Sequence, residues 1–520
     1  LDRREFLRRG LALGTVGLAA AAGSLALDAC GAPTTSPPST TLARRAPTEA
    51  AWRKLAASLR GALIRPSDPT YGADRLLYNA RFTDLRPRAL AYCANEDDVA
   101  RCVDFTNEYA VTVCARSGGH SYAAYSSCDG LVIDVGRLAG IDLDRSGRRA
   151  TIGAGAQLID VYNTLGRRGR LLPGGSCPTV GIAGLALGGG IGVFARRYGL
   201  TCDNLQSVRL VTPGGDRVAA DGSDHADLLW ACRGGGGGNF GVATSFDFSV
   251  HPVPEVTLFT LQYPWAAAAT LLEAWQHWTA NAPDELWSSC QLESQGTYGY
   301  LAQVAGVYCG APGALAPLLA GLHGDVGATP SYDFVGSRDY LDAMAIEAGC
   351  EGLTVAACHT APEGVLSRAA YAAKSSYVDA PMTSRGVARA VEAVERLRST
   401  APTVGGALAF DAYGGAVNRV PAHASAFVHR DKLACIQATY SWSGATPAAE
   451  VAAGQSWLAW LGAEVFDPAT GAYQNYIDPT LEDWANAYYG SNLARLVTVK
   501  ARYDPENRFA FAQSVPLTLN

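Results

Sequence analysis

The chain has 520 residues, with 42 basic and 48 acidic side chains and a formal charge of −6. At 48 % hydrophobic and 17 % charged it is too apolar for a disordered chain, and its length suits one large or two to three ordinary domains. The charge offers no basic field for a phosphate backbone, which argues against nucleic acid as a partner. Lys is scarce beside Arg, which argues against a Schiff-base or P-loop lysine.

Residues 1–30 read as an export signal. Arg3-Arg4 and Arg8-Arg9 flank Phe6-Leu7, and a short, Gly-interrupted apolar run leads to Leu27-Asp28-Ala29-Cys30. The run is too short and too rich in small residues for a membrane span. The paired arginines resemble twin-arginine signals. Two readings of the end stand side by side: Cys30 as a lipid-attachment site, with Asp28 unusual in such a box, or a plain cleavable signal with a chance cysteine. Residues 31–50, rich in Pro, Thr and Ser, read as a flexible tether. The cysteines beyond Cys30 could form bridges in an oxidising compartment. They contain no CxxC pair, so no structural metal is expected.

Beyond the tether, periodicity predicts a helix over 52–63 and another over 95–109, the latter opened by an Asn cap and the acids Glu96 and Asp97. Strands are expected at 111–115, 130–135 and 149–154, then a helix at 157–166. Residues 173–192 carry glycines at a density that costs backbone entropy, as does the run 234–241; such cost fits positions where something approaches the main chain closely. A hairpin is expected at 204–211 and 216–219. Gly236-x-Gly238-x-x-Gly241 satisfies a dinucleotide fingerprint, but residues 242–250 read as strand where that fingerprint requires a helix. From Val256 onward, strands at 256–263, 286–293, 301–308, 403–410 and 432–442 alternate with helices at 266–280, 313–322 and 382–399, a sheet covered by helices. Helical spacing assigns Trp275 and Trp278 to core packing rather than to a sugar platform.

Taken in order, Arg116-Ser117-Gly118-Gly119-His120-Ser121-Tyr122, the 174–192 loop, Arg197-Tyr198-Gly199-Leu200 with Asp203-Asn204, the 234–241 run, and Gln513-Ser514-Val515-Pro516 resemble the berberine-bridge-enzyme-like flavoproteins, FAD-linked oxidases of the vanillyl-alcohol-oxidase type of fold. The resemblance implies an α+β chain. A two-part FAD-binding domain of the PCMH type would span 51–255, an antiparallel-sheet substrate domain covered by helices 256–460, and a return to the FAD-binding domain 461–520.

It also implies FAD attached twice, through a ring nitrogen of His120 and through Cys177. The cradle would be Arg116, Ser117, Gly118, Gly119, Ser121, Gly174, Val180, Gly181, Gly184, Gly188, Gly189, Gly192, Asn204, Gly238, Asn239, Gly241, Val242, Asn475 and Asn492. Neutral imidazole and a deprotonated thiol are competent nucleophiles, and turn amides can hold a diphosphate without lysine. Tyr476 takes the position of the family's general base. A free phenol has a pKa of about 10, so ionising it near neutrality requires roughly 3–4 kcal/mol of stabilisation. Lys374 is the expected neighbouring cation, with Arg495 the other in view, and Gln437 matches a residue facing substrate or flavin. Ile191 stands where many relatives have tyrosine, and Cys435 where plant monolignol-oxidising relatives have lysine. Val180 leaves room above the flavin, which tilts the reading towards oxygen as acceptor. The expectation is therefore an exported oxidase that removes hydride from an alcohol or sugar and passes it to O2. Its alternatives are a secondary-metabolite oxidoreductase using another acceptor, and a lipoprotein that only binds.

Overall fold

The computed structural model describes residues 45–519; the expected export signal, Cys30 and most of the expected tether lie outside them. Helix Glu49–Ser58 opens the fold, capped by the Thr48 hydroxyl on the Ala51 amide at 3.2 Å. Strands β1 (Ala62–Ile64), β2 (Ala89–Tyr92), β3 (Val113–Arg116) and β4 (Leu131–Asp134) form a sheet in the order β1-β2-β4-β3, with β4 parallel to both β2 and β3. Helix Glu96–Glu108 connects β2 to β3, started by Asn95 on the Asp98 amide (2.9 Å) and three acids in its first turn.

A second, antiparallel sheet comprises β5 (Ile141–Leu143), β6 (Arg149–Gly153), β8 (Leu205–Val211), β9 (Arg217–Ala220) and β10 (Val242–Ser249), while β7 (Arg170–Leu171) pairs with β11 (His251–Pro252). In β10, Phe246 and Phe248 point into the core, and Asp247 between them accepts from Ser207 at 2.7 Å. The segment after the Gly236 run is thus a strand, which removes the dinucleotide fingerprint. Both sheets share one large core that includes Val99, Val103, Ile133, Ile152, Val208 and Phe246.

The third sheet has seven antiparallel strands: β12 (Val256–Tyr263), β13 (Leu286–Gln295), β14 (Tyr300–Tyr308), β15 (Tyr332–Arg338), β16 (Ala370–Val378), β17 (Gly405–Ala412) and β18 (Ala434–Trp442), ordered β15-β12-β14-β13-β17-β18-β16. One face carries Leu261, Cys290, Leu292, Val304, Leu408, Phe410 and Ile436 against helices Ala268–Ala280, Leu315–Val326, Ser384–Thr400 and Ala448–Glu464, a second core. Trp275 lies in it, its indole donating to the Ser288 hydroxyl at 2.9 Å, and Trp278 packs against it. The molecule is α+β, as the alternation of elements predicts. The expected elements do not include the helices Ile182–Gly188, Ala226–Cys232, Tyr340–Glu347, Ala448–Glu464 and Leu493–Tyr503, or strands β1, β2, β5, β7, β11, β15 and β16. Strand β1 begins within the helix expected over 52–63, which ends at Ser58, and that helix begins at Glu49, inside the expected tether. Helix Ile182–Gly188 has glycine at both its start and its end. It is held by contacts from residues far along the chain, which local propensity does not report. Among the described residues no helix is long and apolar enough to cross a membrane.

The chain's end is locked back onto the first half by a fully buried ion pair. Lys500 Nζ donates to Asp504 Oδ2 at 2.7 Å and to the carbonyls of Asn239 and Phe509, each at 2.8 Å. Removing one partner of such a pair leaves a desolvated charge. Asp504→Ala is expected to lower unfolding stability by about 3–5 kcal/mol, read by urea denaturation. A change within a few tenths of wild type would show that the pair carries no such weight.

Candidate active site

Two glycine turns meet where β3 ends. A Cβ on Gly118 would lie 2.7 Å from the Thr179 carbonyl oxygen and inside contact distance of the Gly181 amide; one on Gly181 would overlap the Ser117 hydroxyl. Only hydrogen fits there, so the 116–122 and 177–181 turns lie backbone to backbone. Ser117 donates to the Ala154 carbonyl at 2.7 Å, Gly119 has φ +70°, and Ser121 caps the turn by accepting from the Tyr125 amide at 3.0 Å.

His120 Nε2 sits 2.8 Å from Thr179 Oγ1, and its ring stacks on Tyr78 at 4.0 Å. Burial drives its pKa down to about 3, so the imidazole is neutral at working pH. Cys177 is a free thiol that burial pushes upward. Burial also raises the phenols of Tyr78, Tyr122 and Tyr371, and Cys177 adds to each rise, so it borders the same aromatic enclosure as His120.

The glycines divide by what they meet. Gly174 and Gly192 are packed on each other's turn, since a Cβ at Gly192 would overlap the Gly174 carbonyl. Gly188 abuts Asn475, and Gly189, at φ +130°, abuts Phe427 and Tyr473. By contrast a Cβ on Gly184 would meet nothing within 4 Å, and one on Gly237 only the Gly184 Cα at 3.8 Å. One on Gly238 would meet only Phe511 at 3.7 Å. Around Gly184 and Gly237 the backbone is therefore bare of neighbouring side chains, with the Phe511 ring the nearest group to Gly238. That is what an extended dinucleotide needs beside turn amides.

Several expected cradle residues spend their side chains inside the protein. Arg116 donates to the carbonyls of Asp74 (2.9 Å) and Ser126 (3.1 Å). Asn204 donates to Tyr198 and Leu200 and accepts from His251. Asn239 bridges the Gly235 carbonyl (3.0 Å) and the Val515 amide (2.8 Å). Asn492 holds the carbonyls of Ala422 and Ser425. Gly241 lies against the Val211 carbonyl at φ +138°, and Val242 is a buried strand residue. Their side chains fix the loops. Val180 is half-buried beside the first core.

Tyr476 is aimed by its neighbours. Asn475 donates to the Leu185 carbonyl (3.1 Å) and to the Tyr473 hydroxyl (2.9 Å), and the Tyr473 amide donates to Ser375 on β16 at 2.9 Å. The Tyr476 ring stacks on Tyr122 at 5.5 Å with 15° between planes. Gln437 donates to the Tyr122 hydroxyl at 2.8 Å. Ile191 is buried in the same cluster as Tyr377, Tyr413, Tyr473 and Cys435.

Strand register explains this gathering. Gln437 lies opposite Ala409 and Ser375, Ala409 opposite Gln291, Gln291 opposite Gln303, and Gln303 opposite Gln262. One rung away, Tyr377, Cys435, Asp411 and Ser289 share that face. Gln262 donates to Gln303 at 3.0 Å and Gln303 to Gln291 at 2.8 Å. The face turned away from the helices is thus a polar wall. Burial raises Asp411 to about 6 and Glu293 to about 7, and burial together with Asp411 raises Glu347 to about 7.

The expected cation beside Tyr476 is corrected by the same parity. Lys374 lies opposite Ala438 and points to the helix-covered side, where Gly462 approaches its stem. Its ammonium pairs with Asp478 and donates to Thr480 at 2.8 Å. Arg495 covers the Trp230 ring at 3.9 Å. Tyr476 is instead pushed well above the ordinary phenol range, by burial first and then by Asp411. Tyr122, Asp411, Glu293 and Tyr371 lie outside the expected catalytic set. A carboxylate inside the otherwise apolar run Ala407-Leu408-Ala409-Phe410-Asp411-Ala412 is the available signal for Asp411.

The bare glycine backbone beside an aromatic enclosure fits a dinucleotide flavin, and comparison with known proteins supplies the class. Residues 87–221 match the family model described as FAD binding domain, and 472–516 the model described as berberine and berberine like. The chain is 32 % identical over 463 residues to the uncharacterized FAD-linked oxidoreductase YvdP of Bacillus subtilis, covering 88 % of this chain and 98 % of that one. It is 29 % identical to the xylooligosaccharide oxidase of Thermothelomyces thermophilus, over 85 % of this chain and 88 % of that one. The solved structure of Physcomitrella patens BBE-like 1 superposes with a TM-score of 0.82 at 30 % identity, covering 90 % and 99 % of the two chains. The chain belongs to the berberine-bridge-enzyme-like family of FAD-linked oxidoreductases, and it is an FAD-dependent oxidoreductase.

Gly118→Ala is expected to unseat the two turns and abolish most flavin retention while the far sheet stays folded. Flavin absorbance per protein, with circular dichroism as control, checks this; full flavin content would break the close-approach argument.

Proposed function

We propose that the protein is an exported FAD-linked oxidase that removes hydride from an alcohol carbon of a sugar or oligosaccharide, with O2 as the acceptor. The reading is supported chiefly by the half-buried Gln291, Glu293, Asp411 and Gln437 on the side of the sheet that carries the Tyr122–Tyr476 stack. Closely spaced amides and carboxyls suit a substrate with many hydroxyls. The xylooligosaccharide oxidase among the relatives points the same way. The pattern of residues 1–30, expected to be an export signal and outside the described residues, is the support for placement outside the cytoplasm.

FAD would lie along the bare backbone of Gly184, Gly237 and Gly238 and be attached to Cys177 and to His120 Nδ1, the ring nitrogen not engaged by Thr179. When bound it accepts the hydride and hands the electron pair to O2, giving hydrogen peroxide. Val180, a small side chain next to the Cys177 turn, keeps access open for O2. Tyr476 receives the substrate hydroxyl proton. Burial and Asp411 hold its hydroxyl protonated, so uptake of a proton at its oxygen is balanced by loss of its own. Asp411 is the carboxylate that acts most strongly on it and becomes a proton acceptor as it ionises. Gln437 keeps Tyr122, and through the stack Tyr476, in register.

Acid-precipitated protein should stay yellow; complete release of free FAD would remove both linkages. Tyr476→Phe should lower turnover by about 10²–10⁴-fold with flavin content unchanged. Asp411, protonated below about 6, should make the rate of flavin reduction rise with pH through that value, and Asp411→Asn should flatten the rise. A pH-independent wild-type rate would exclude Asp411 as acceptor. A panel of oligosaccharides and aromatic alcohols, with peroxide as readout, tests the substrate class.

A further inference from the structure

Cys114 and Cys128 stand at the two ends of the turn that carries His120. Cys114 lies on β3, opposite Val132 of β4, and Cys128 lies just before β4, its sulfur 3.7 Å from the Leu131 carbonyl and 3.9 Å from that of Thr112. Both pack on the same small cluster of Tyr71, Leu90 and Val132. Both thiols also line a cavity that reaches Gly238 and Phe511, next to the bare glycine backbone. Neither is in a disulfide, and each thiol acts on the ionisation of the other.

The geometry points to an oxidisable dithiol: Cys114 and Cys128 are a modification site at which a small two-electron oxidant, hydrogen peroxide, closes a disulfide around the 116–122 turn. The two sulfurs are not equivalent. Cys114 holds the Cys128 thiol below its ordinary range, whereas burial pushes Cys114 well above. Cys128, in the loop before β4, is the attacking thiolate, and Cys114, fixed within β3, is the resolving thiol.

In the first step the Cys128 sulfur attacks one peroxide oxygen, the O–O bond breaks, and the departing hydroxide takes a proton to become water. Cys128 is left as the sulfenic acid. In the second step the Cys114 sulfur attacks the Cys128 sulfur, the S–O bond breaks, and the hydroxyl leaves with the Cys114 proton as a second water. Two thiols are oxidised by two electrons and one peroxide is reduced to two waters.

The closed ring runs from residue 114 to residue 128 and encloses all of Arg116 to Tyr122. It would restrict the turn before cofactor arrives and reduce the freedom it has when the chain opens. Peroxide is the product under the oxidase reading. The chemistry does not depend on its source, so added peroxide separates failure of this inference from failure of that reading.

The test treats the whole protein with peroxide, quenches with iodoacetamide in denaturant, and maps unreduced peptides by mass spectrometry; the Cys350–Cys358 bridge serves as detection control. The expected result is a peptide cross-linked between Cys114 and Cys128 and the loss of both alkyl labels. Reductant should then lower the melting temperature of peroxide-treated protein. That shift should persist in a Cys350→Ser/Cys358→Ser variant and vanish in Cys128→Ser, with Cys114→Ala as a second variant should the first misfold. Recovery of both residues as alkylated thiols, of Cys128 over-oxidised without a cross-link, or of either bonded to another cysteine would overturn it.

Discussion

The close approach of the 116–122 and 177–181 turns governs the site. Gly118 and Gly181 face each other with room for hydrogen alone, and Ser117 fills the space a side chain on Gly181 would need. Through that contact His120 and Cys177, distant in the chain, come to border one aromatic enclosure. The cost of so many glycines in the unfolded chain is offset by what their bareness allows. Bare backbone amides stand where side chains would otherwise project.

The seven-stranded sheet supplies the other half of the site by a different rule. Its two faces have separate duties because side chains alternate along each strand. Leu292, Leu408, Phe410 and Ile436 bury under four helices, while Gln291, Asp411 and Gln437 stand on the opposite side. Gly188, Asn475 and Tyr473 then join this wall to the glycine-rich half and set Tyr476 over it. The carboxyls on the wall are half-buried and raised by desolvation, so their protonation responds to what occupies the space before them.

Residue patterns carry the local elements well. Asn95 does cap its helix, β12 spans Val256–Tyr263, and Trp275 is a core residue. Legibility fails where long-range contacts decide. Helix Ile182–Gly188 has glycine at both ends and is stabilised from Asn475, far along the chain. Lys374 is expected near Tyr476 because both belong to segments bordering one cavity, yet a one-residue step along a strand reverses the side chain's direction. Asn204, Asn239 and Asn492 stand in loops expected to touch cofactor, but their amides hold those loops instead.

What the sequence by itself determined was composition, the alternation of helix and strand, and the ordered set of glycine, histidine and cysteine motifs, because these depend on neighbours within a few residues. The tertiary structure alone decided which face of each strand meets the site, that Tyr476 stacks on Tyr122, and that Asp411 rather than Lys374 is the charge acting on it. Those outcomes rest on strand register and on backbones packed at contact distance. Both are set by residues far apart in the chain, and no local pattern encodes them.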